Sequence, residues 1–137
     1  ADEPREDVSS GPIPTGKERI LLIDDEEIQV RTVQHMLERL GYRVVAKTRA
    51  PEALETFWTQ PDAFDLVITD QTMPELTGVN LAREVLRIRP DMPVILYTGY
   101  SETLDEEEVR SIGIRDFALK PLTVRDLAER IRRALKK

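Results

Sequence analysis

The chain has 137 residues, 40% of them hydrophobic and 34% charged, with a formal net charge of -6 and no cysteine. That length and balance fit one globular domain with a buried core. The acidic charge removes the basic footprint of a nucleic-acid binder, the missing cysteine removes disulfides, thiol chemistry and thiolate metal sites, and no membrane-length apolar run or secretory signal is present, so the expected compartment is the cytoplasm.

Residues 1–17, ADEPREDVSSGPIPTGK, carry three prolines, two glycines and several acids with little to bury. Such a segment does not offset its ordering entropy, and it is expected to be a flexible linker or tail ahead of a domain at 18–137. From Arg19 onward short apolar runs alternate with amphipathic stretches. Ile20-Leu21-Leu22-Ile23 ends in acids. Val33, Met36, Leu37 and Leu40 then recur at helical spacing up to a stop at Gly41. Val44-Val45-Ala46 follows, and Pro51 opens a helix carrying Leu54, Phe57 and Trp58. Leu66-Val67-Ile68 is the third run, Leu81, Ala82, Val85 and Leu86 mark the third helix, and Val94-Ile95-Leu96 is the fourth run. Thr103-x-x-Glu106 reads as a capping box for a fourth helix that stops at Gly113. Phe117-Ala118-Leu119 precedes a last helix with Val124, Leu127, Ile131 and Leu135.

Five strand–helix units in alternation imply α/β architecture, a parallel sheet covered by helices on both faces. Near-continuous apolar strands agree, because parallel strands are buried on both sides. The expected fold is a three-layer, doubly wound (βα)5 sheet in the flavodoxin-like order 2-1-3-4-5.

In such sheets sites form beyond the carboxyl ends of the strands. The first run enters Asp24-Asp25-Glu26, the third Asp70, the fourth Thr98-Gly99 and the fifth Lys120-Pro121. Clustered aspartates raise one another's pKa or require a cation. An all-oxygen ligand set favours a hard ion, Mg²⁺ with Mn²⁺ as an alternative. A carboxylate beside that ion can act as nucleophile toward phosphorus. Lys120 offers a point charge, Thr98 a hydroxyl donor, and Gly99 room beside it. Taken singly, each residue has a plainer reading: Asp24 or Asp25 as a helix cap, Thr98 as a strand end, Lys120 as a solvated charge. His35, mid-helix, reads as a helix-face residue. Tyr97, Trp58 and Met73 read as packing, and Asp105–Glu108 as an acidic helix start.

The pieces ILLIDDEE, DLVITDQTMPELTG, ILYTGYSE and FALKPL together resemble the receiver domain of two-component response regulators, over about Arg19 to Leu135. The resemblance implies a regulatory phosphoacceptor rather than an enzyme. Asp70 would accept a phosphoryl group from a phosphohistidine on a histidine kinase or histidine phosphotransfer protein. Asp25, Asp70 and the Thr72 backbone carbonyl would hold Mg²⁺, with Asp24 acting through water. Thr98 and Lys120 would bind the phosphoryl group, with Phe117 as the switch aromatic and a cis Lys120-Pro121 peptide. Output would pass through the fourth helix, fifth strand and fifth helix to an unidentified partner, in a monomer or weak homodimer. Two contexts stay open: a free-standing single-domain regulator, or the receiver of a hybrid histidine kinase, which the tail and the KERILLIDDE and TGYSE stretches resemble and which would tether the domain to a membrane-bound kinase. Haloacid dehalogenase phosphatases also use Asp, Thr and Lys, but with the nucleophile in a D-x-D motif on the first strand, whereas Asp70 lies on the third and precedes Gln71-Thr72. A third alternative is a pseudo-receiver, which keeps the fold without the chemistry; the intact Asp24, Asp25, Asp70, Thr98 and Lys120 set argues against it.

Overall fold

The computed structural model describes residues 11–99 and 104–136. Five strands alternate with five helices: β1 (Arg19–Ile23), α1 (Glu27–Arg39), β2 (Arg43–Lys47), α2 (Ala50–Thr59), β3 (Leu66–Asp70), α3 (Gly78–Ile88), β4 (Val94–Thr98), α4 (Glu106–Ile112), β5 (Asp116–Leu119) and α5 (Val124–Leu135), with a 3-10 turn at Pro61–Ala63. All strand pairs are parallel and the order is β2-β1-β3-β4-β5. This is the flavodoxin-like sheet that the alternation of apolar runs predicts.

The period of two along each strand divides the core into two layers. Ile20, Leu22, Ile68 and Ile95 face α1 and α5, packing with Val33, Leu37, Leu127 and Ile131. Leu21, Ile23, Val67 and Leu96 face the opposite layer, with Phe57 of α2, Leu81 and Val85 of α3 and Val109 of α4. β3 and β4 are buried along their whole length, which is why their sequences are continuous rather than alternating. Neighbouring β1 and β3 leave in opposite directions round the sheet, to β2 and to β4. The crevice between their carboxyl ends is the switch point where such folds hold ligands.

Local signals set the helix ends. Gly41 has φ +103° just beyond α1, the left-handed stop that glycine takes without strain. Thr77 caps α3, its hydroxyl accepting from the Asn80 N–H at 3.2 Å. Gly78 is required by crowding: a Cβ there would collide with the Asp70 carbonyl oxygen. α4 is capped by Asp105, whose side chain accepts from the Glu107 N–H at 3.0 Å. The capping-box residue Thr103 lies outside the described residues, as do residues 1–10 of the expected tail. Of the remainder of that segment, the Gly16 N–H donates to the Leu40 carbonyl at 3.1 Å and the Gly11 carbonyl accepts from Arg125 at 2.7 Å.

Trp58 departs from its expected packing role. It is 69% exposed, because the buried stripe of α2 runs through Ala50, Ala53 and Phe57 and leaves the next position turned toward solvent. Tyr97 and Met73 are buried as expected. No helix among the described residues is long and apolar enough to cross a membrane.

Candidate functional site

The polar ends of four strands meet at the switch point. Asp24 follows β1 and is wholly buried, Asp25 beside it is exposed, and Asp70 closes β3 with 3% exposure. One carboxylate oxygen from each of the three lies within 4.8 Å of the others. Lys120, just past β5, places its Nζ 3.0 Å from Asp70 Oδ1 and 3.9 Å from Asp24 Oδ2. The Lys120 N–H donates to the Thr98 carbonyl at 2.8 Å, binding the β5 exit to the end of β4, and the Lys120-Pro121 peptide is cis.

Asp24 is held at both oxygens. Oδ1 accepts from the Glu26 N–H at 3.0 Å, and Oδ2 accepts from the Tyr97 hydroxyl at 2.6 Å. The Tyr97 ring also faces the Lys120 ammonium, 5.1 Å from its centroid. Thr98 is buried, and its Oγ1 has no hydrogen-bond partner among the described residues. A buried hydroxyl left unpaired costs free energy, and such a group calls for a ligand or water partner.

The electrostatics are unbalanced in favour of a cation. Burial pushes the Asp70 carboxyl up to about 6; the Lys120 ammonium opposes this and the neighbouring Asp24 charge adds to it. Burial is the largest single influence and works against the Lys120 charge, but its bond to Asp70 together with the charges of Asp70, Asp24 and Glu26 outweighs it and holds its pKa above the usual lysine range. A single ammonium thus faces two buried carboxylates and a third at the surface. An all-oxygen set of this kind fits Mg²⁺, which takes few protein ligands and keeps several waters.

Other expected residues occupy different surroundings. Thr72 lies in the loop after β3 with its side chain exposed. Phe117 is half-buried, in register with Leu96 of β4 and packed against the layer of α2, α3 and α4. His35 is exposed on α1 and is not a member of the cluster of three aspartates. Gln71 closes the β3–α3 loop on itself: its side chain accepts from the Val79 N–H at 2.9 Å and its carbonyl from the Gly78 N–H at 3.0 Å.

Sequence reasoning missed two features. In the sequence Tyr97 reads as packing alone, and the only hint otherwise is a hydroxyl in an apolar strand. Arg49 and Glu75 form a two-point pair, at 2.6 and 3.2 Å, beside a hollow lined by Asp25, Thr48 and Pro74. They lie 26 residues apart on different loops, a separation that no local pattern shows.

The model for the response regulator receiver domain matches residues 20–132. The chain belongs to this family. It is 35% identical over 121 residues to the probable transcriptional regulator ycf27 of Pyropia yezoensis, covering 88% of this chain and 49% of that protein. It is 29% identical over 119 residues to the alkaline phosphatase synthesis transcriptional regulatory protein PhoP of Bacillus subtilis, covering 87% and 49%. The chain therefore spans about half the length of these curated relatives. Among solved structures, a receiver domain protein of Clostridium thermocellum superposes with a TM-score of 0.82 at 33% identity, covering 86% of this chain and 94% of that one. This receiver domain is of the two-component type, and its relatives are regulators.

Proposed function

We propose that Asp70 accepts a phosphoryl group from a phosphohistidine of a histidine kinase or histidine phosphotransfer protein, in a Mg²⁺-dependent reaction. The observation that carries this reading is the convergence of Asp24, Asp25 and Asp70 oxygens within 4.8 Å, with the Lys120 ammonium 3.0 Å from Asp70.

In the reaction a carboxylate oxygen of Asp70 bonds to phosphorus, the phosphorus–nitrogen bond of the donor breaks, and the departing imidazole retains the electron pair and takes up a proton. Asp25, Asp70 and the Thr72 carbonyl would hold Mg²⁺, with Asp24 acting through water. Bound there, Mg²⁺ neutralises charge on the transferring phosphoryl oxygens. Lys120, with its Nζ 3.0 Å from Asp70 Oδ1, supplies a further positive charge beside the nucleophile. The Thr98 hydroxyl, unpaired among the described residues, supplies a donor for phosphoryl oxygens. Its engagement, with Phe117 turning inward, would shift the face of α4, β5 and α5 between two packings. A partner reading that face would receive the signal. We place the domain in the cytoplasm, as a free-standing regulator or as the receiver of a hybrid kinase, with residues 1–17 as a tether and residues 18–137 as the domain.

Mass spectrometry after incubation with acetyl phosphate, with and without Mg²⁺, tests the reading. One base-labile phosphoryl group on Asp70, present only with Mg²⁺, is the expected result. Modification elsewhere, or catalytic turnover of the donor without a stable adduct, would overturn it.

A further inference from the structure

We infer that Tyr97 is a positioning residue for the cation site: its hydroxyl holds Asp24 away from Lys120 and so keeps that carboxylate available to the metal's water shell. The inference rests on the Mg²⁺ reading above and goes beyond it, because it assigns a task to a residue that would otherwise be core packing.

The geometry supports this in three steps. First, Asp24 needs a restraint. It is wholly buried, and its Oδ2 sits 3.9 Å from the Lys120 ammonium, short of a direct hydrogen bond. Buried opposite charges at that separation attract strongly. Without an opposing bond, Oδ2 would swing onto Lys120 and form a closed ion pair. Such a pair would engage both the ammonium meant for Asp70 and the carboxylate meant for the cation.

Second, Tyr97 supplies the opposing bond. Its hydroxyl lies 2.6 Å from Oδ2, the short distance of a donor to a charged oxygen. The backbone N–H of Glu26 holds the other oxygen, Oδ1, so among the described residues the phenol is the hydrogen-bond donor that holds Oδ2. A phenol suits this task because it donates a proton and carries no charge. A lysine or arginine there would compete with the cation.

Third, the phenol cannot drift. Tyr97 is fully buried on a strand buried along its whole length. It lies in direct register with Asp70 on β3, and it packs with Ile20, Ile68 and Leu127 in the layer of α1 and α5. The same ring presents its face to Lys120 at 5.1 Å, which gives the ammonium a second resting contact when it leaves Asp70 Oδ1. One rigid side chain therefore touches both charges whose separation the site requires.

The test is Tyr97→Phe, which removes one oxygen and keeps the ring, its packing and its face toward Lys120. Mg²⁺ affinity is read by NMR titration of the amide signals of residues 24–26 with magnesium chloride. A roughly tenfold weaker affinity is expected, as when an outer hydrogen bond to a metal ligand is lost. The melting temperature in EDTA should fall modestly, because a buried charged oxygen loses a donor, so the titration is run well below it. Because the effect acts through Asp24, it should vanish in an Asp24→Asn background, where Tyr97→Phe costs no further affinity. Unchanged affinity in Tyr97→Phe, or an equal loss in both backgrounds, would overturn the inference while leaving the Mg²⁺ reading intact. A parent protein that binds no Mg²⁺ would overturn both.

Discussion

Two aspartates bracket β3, and their surroundings push them in opposite directions. Asp65, just before the strand, is part-exposed and gripped by Arg19, whose backbone N–H donates to Oδ2 at 2.9 Å and whose guanidinium contacts both oxygens at 3.2 Å. Those bonds hold its carboxyl below the usual aspartate range. Asp70, closing the strand, is buried beside another carboxylate and pushed up to about 6. The same contrast holds for the two ends of the sheet. At the amino end Arg89 donates to the Pro61 and Phe64 carbonyls at 2.8 and 2.9 Å, and Arg115 donates to the Ala134 carbonyl at 2.6 Å. At the carboxyl end acids crowd together and Thr98 Oγ1 has no partner among the described residues. One end uses charge to tie loops down. The other keeps charge under strain, which is how reactive sites trade stability for function.

The sharpest way to break this contrast is Asp70→Asn. Loss of acceptance should be complete, with no acyl phosphate seen by mass spectrometry. The metal-free variant should also be more stable than the parent at pH 7, by roughly 1–2 kcal/mol, since a neutral side chain escapes both burial cost and repulsion from Asp24. A variant less stable than the parent in EDTA would show that the Lys120 pair outweighs that repulsion.

Thr98→Ala comes next. Acceptance should persist, because Thr98 is not the nucleophile. Most of the shift in amide signals of α4, β5 and α5 on phosphorylation should disappear, and an unchanged NMR response would remove Thr98 from the switch. Arg89→Ala probes the other end. It strips the guanidinium from two loop carbonyls and should destabilise the fold by about 1–3 kcal/mol in urea melts. Its rate of phosphorylation should match the parent, since the change lies at the far end of the strands.

How far the sequence went follows from the physics of each feature. The strand order was legible because buried parallel strands write continuous apolar runs and helices write a 3.6 period. Asp24, Asp25, Asp70, Thr98 and Lys120 were legible as a group because each is a polar residue just where an apolar run ends. Trp58 misled because its spacing from Leu54 matches an apolar stripe, while the stripe that packs runs through Ala53 and Phe57. The Tyr97–Asp24 bond spans 73 residues, and an aromatic in a central strand has the same signature whether its hydroxyl is idle or engaged. The Arg49–Glu75 pair was hidden for the same reason, since long-range polar partners leave no periodic trace.

The smallest expected effect completes the contrast, because it isolates the ordinary member of the two aspartates. Asp65→Asn removes the carboxylate that Arg19 grips. A carboxyl held below its ordinary value stabilises the fold only while it is ionised and the unfolded chain's is ionised too. That contribution is therefore fully present above about pH 4, the unfolded range, and is lost as pH falls through the lower folded value. The side chain is 36% exposed, so solvent and salt screen the pair and the contribution should remain below about 1 kcal/mol. Urea melts at pH 7 and pH 3 read it directly: the gap between parent and Asp65→Asn should narrow on acidification, and should narrow at pH 7 when salt is raised. A gap insensitive to both would mean that Asp65 acts by neutral hydrogen bonding to the Arg19 N–H. The contrast along β3 would then be one of burial alone, with no role for the sign of the neighbouring charge.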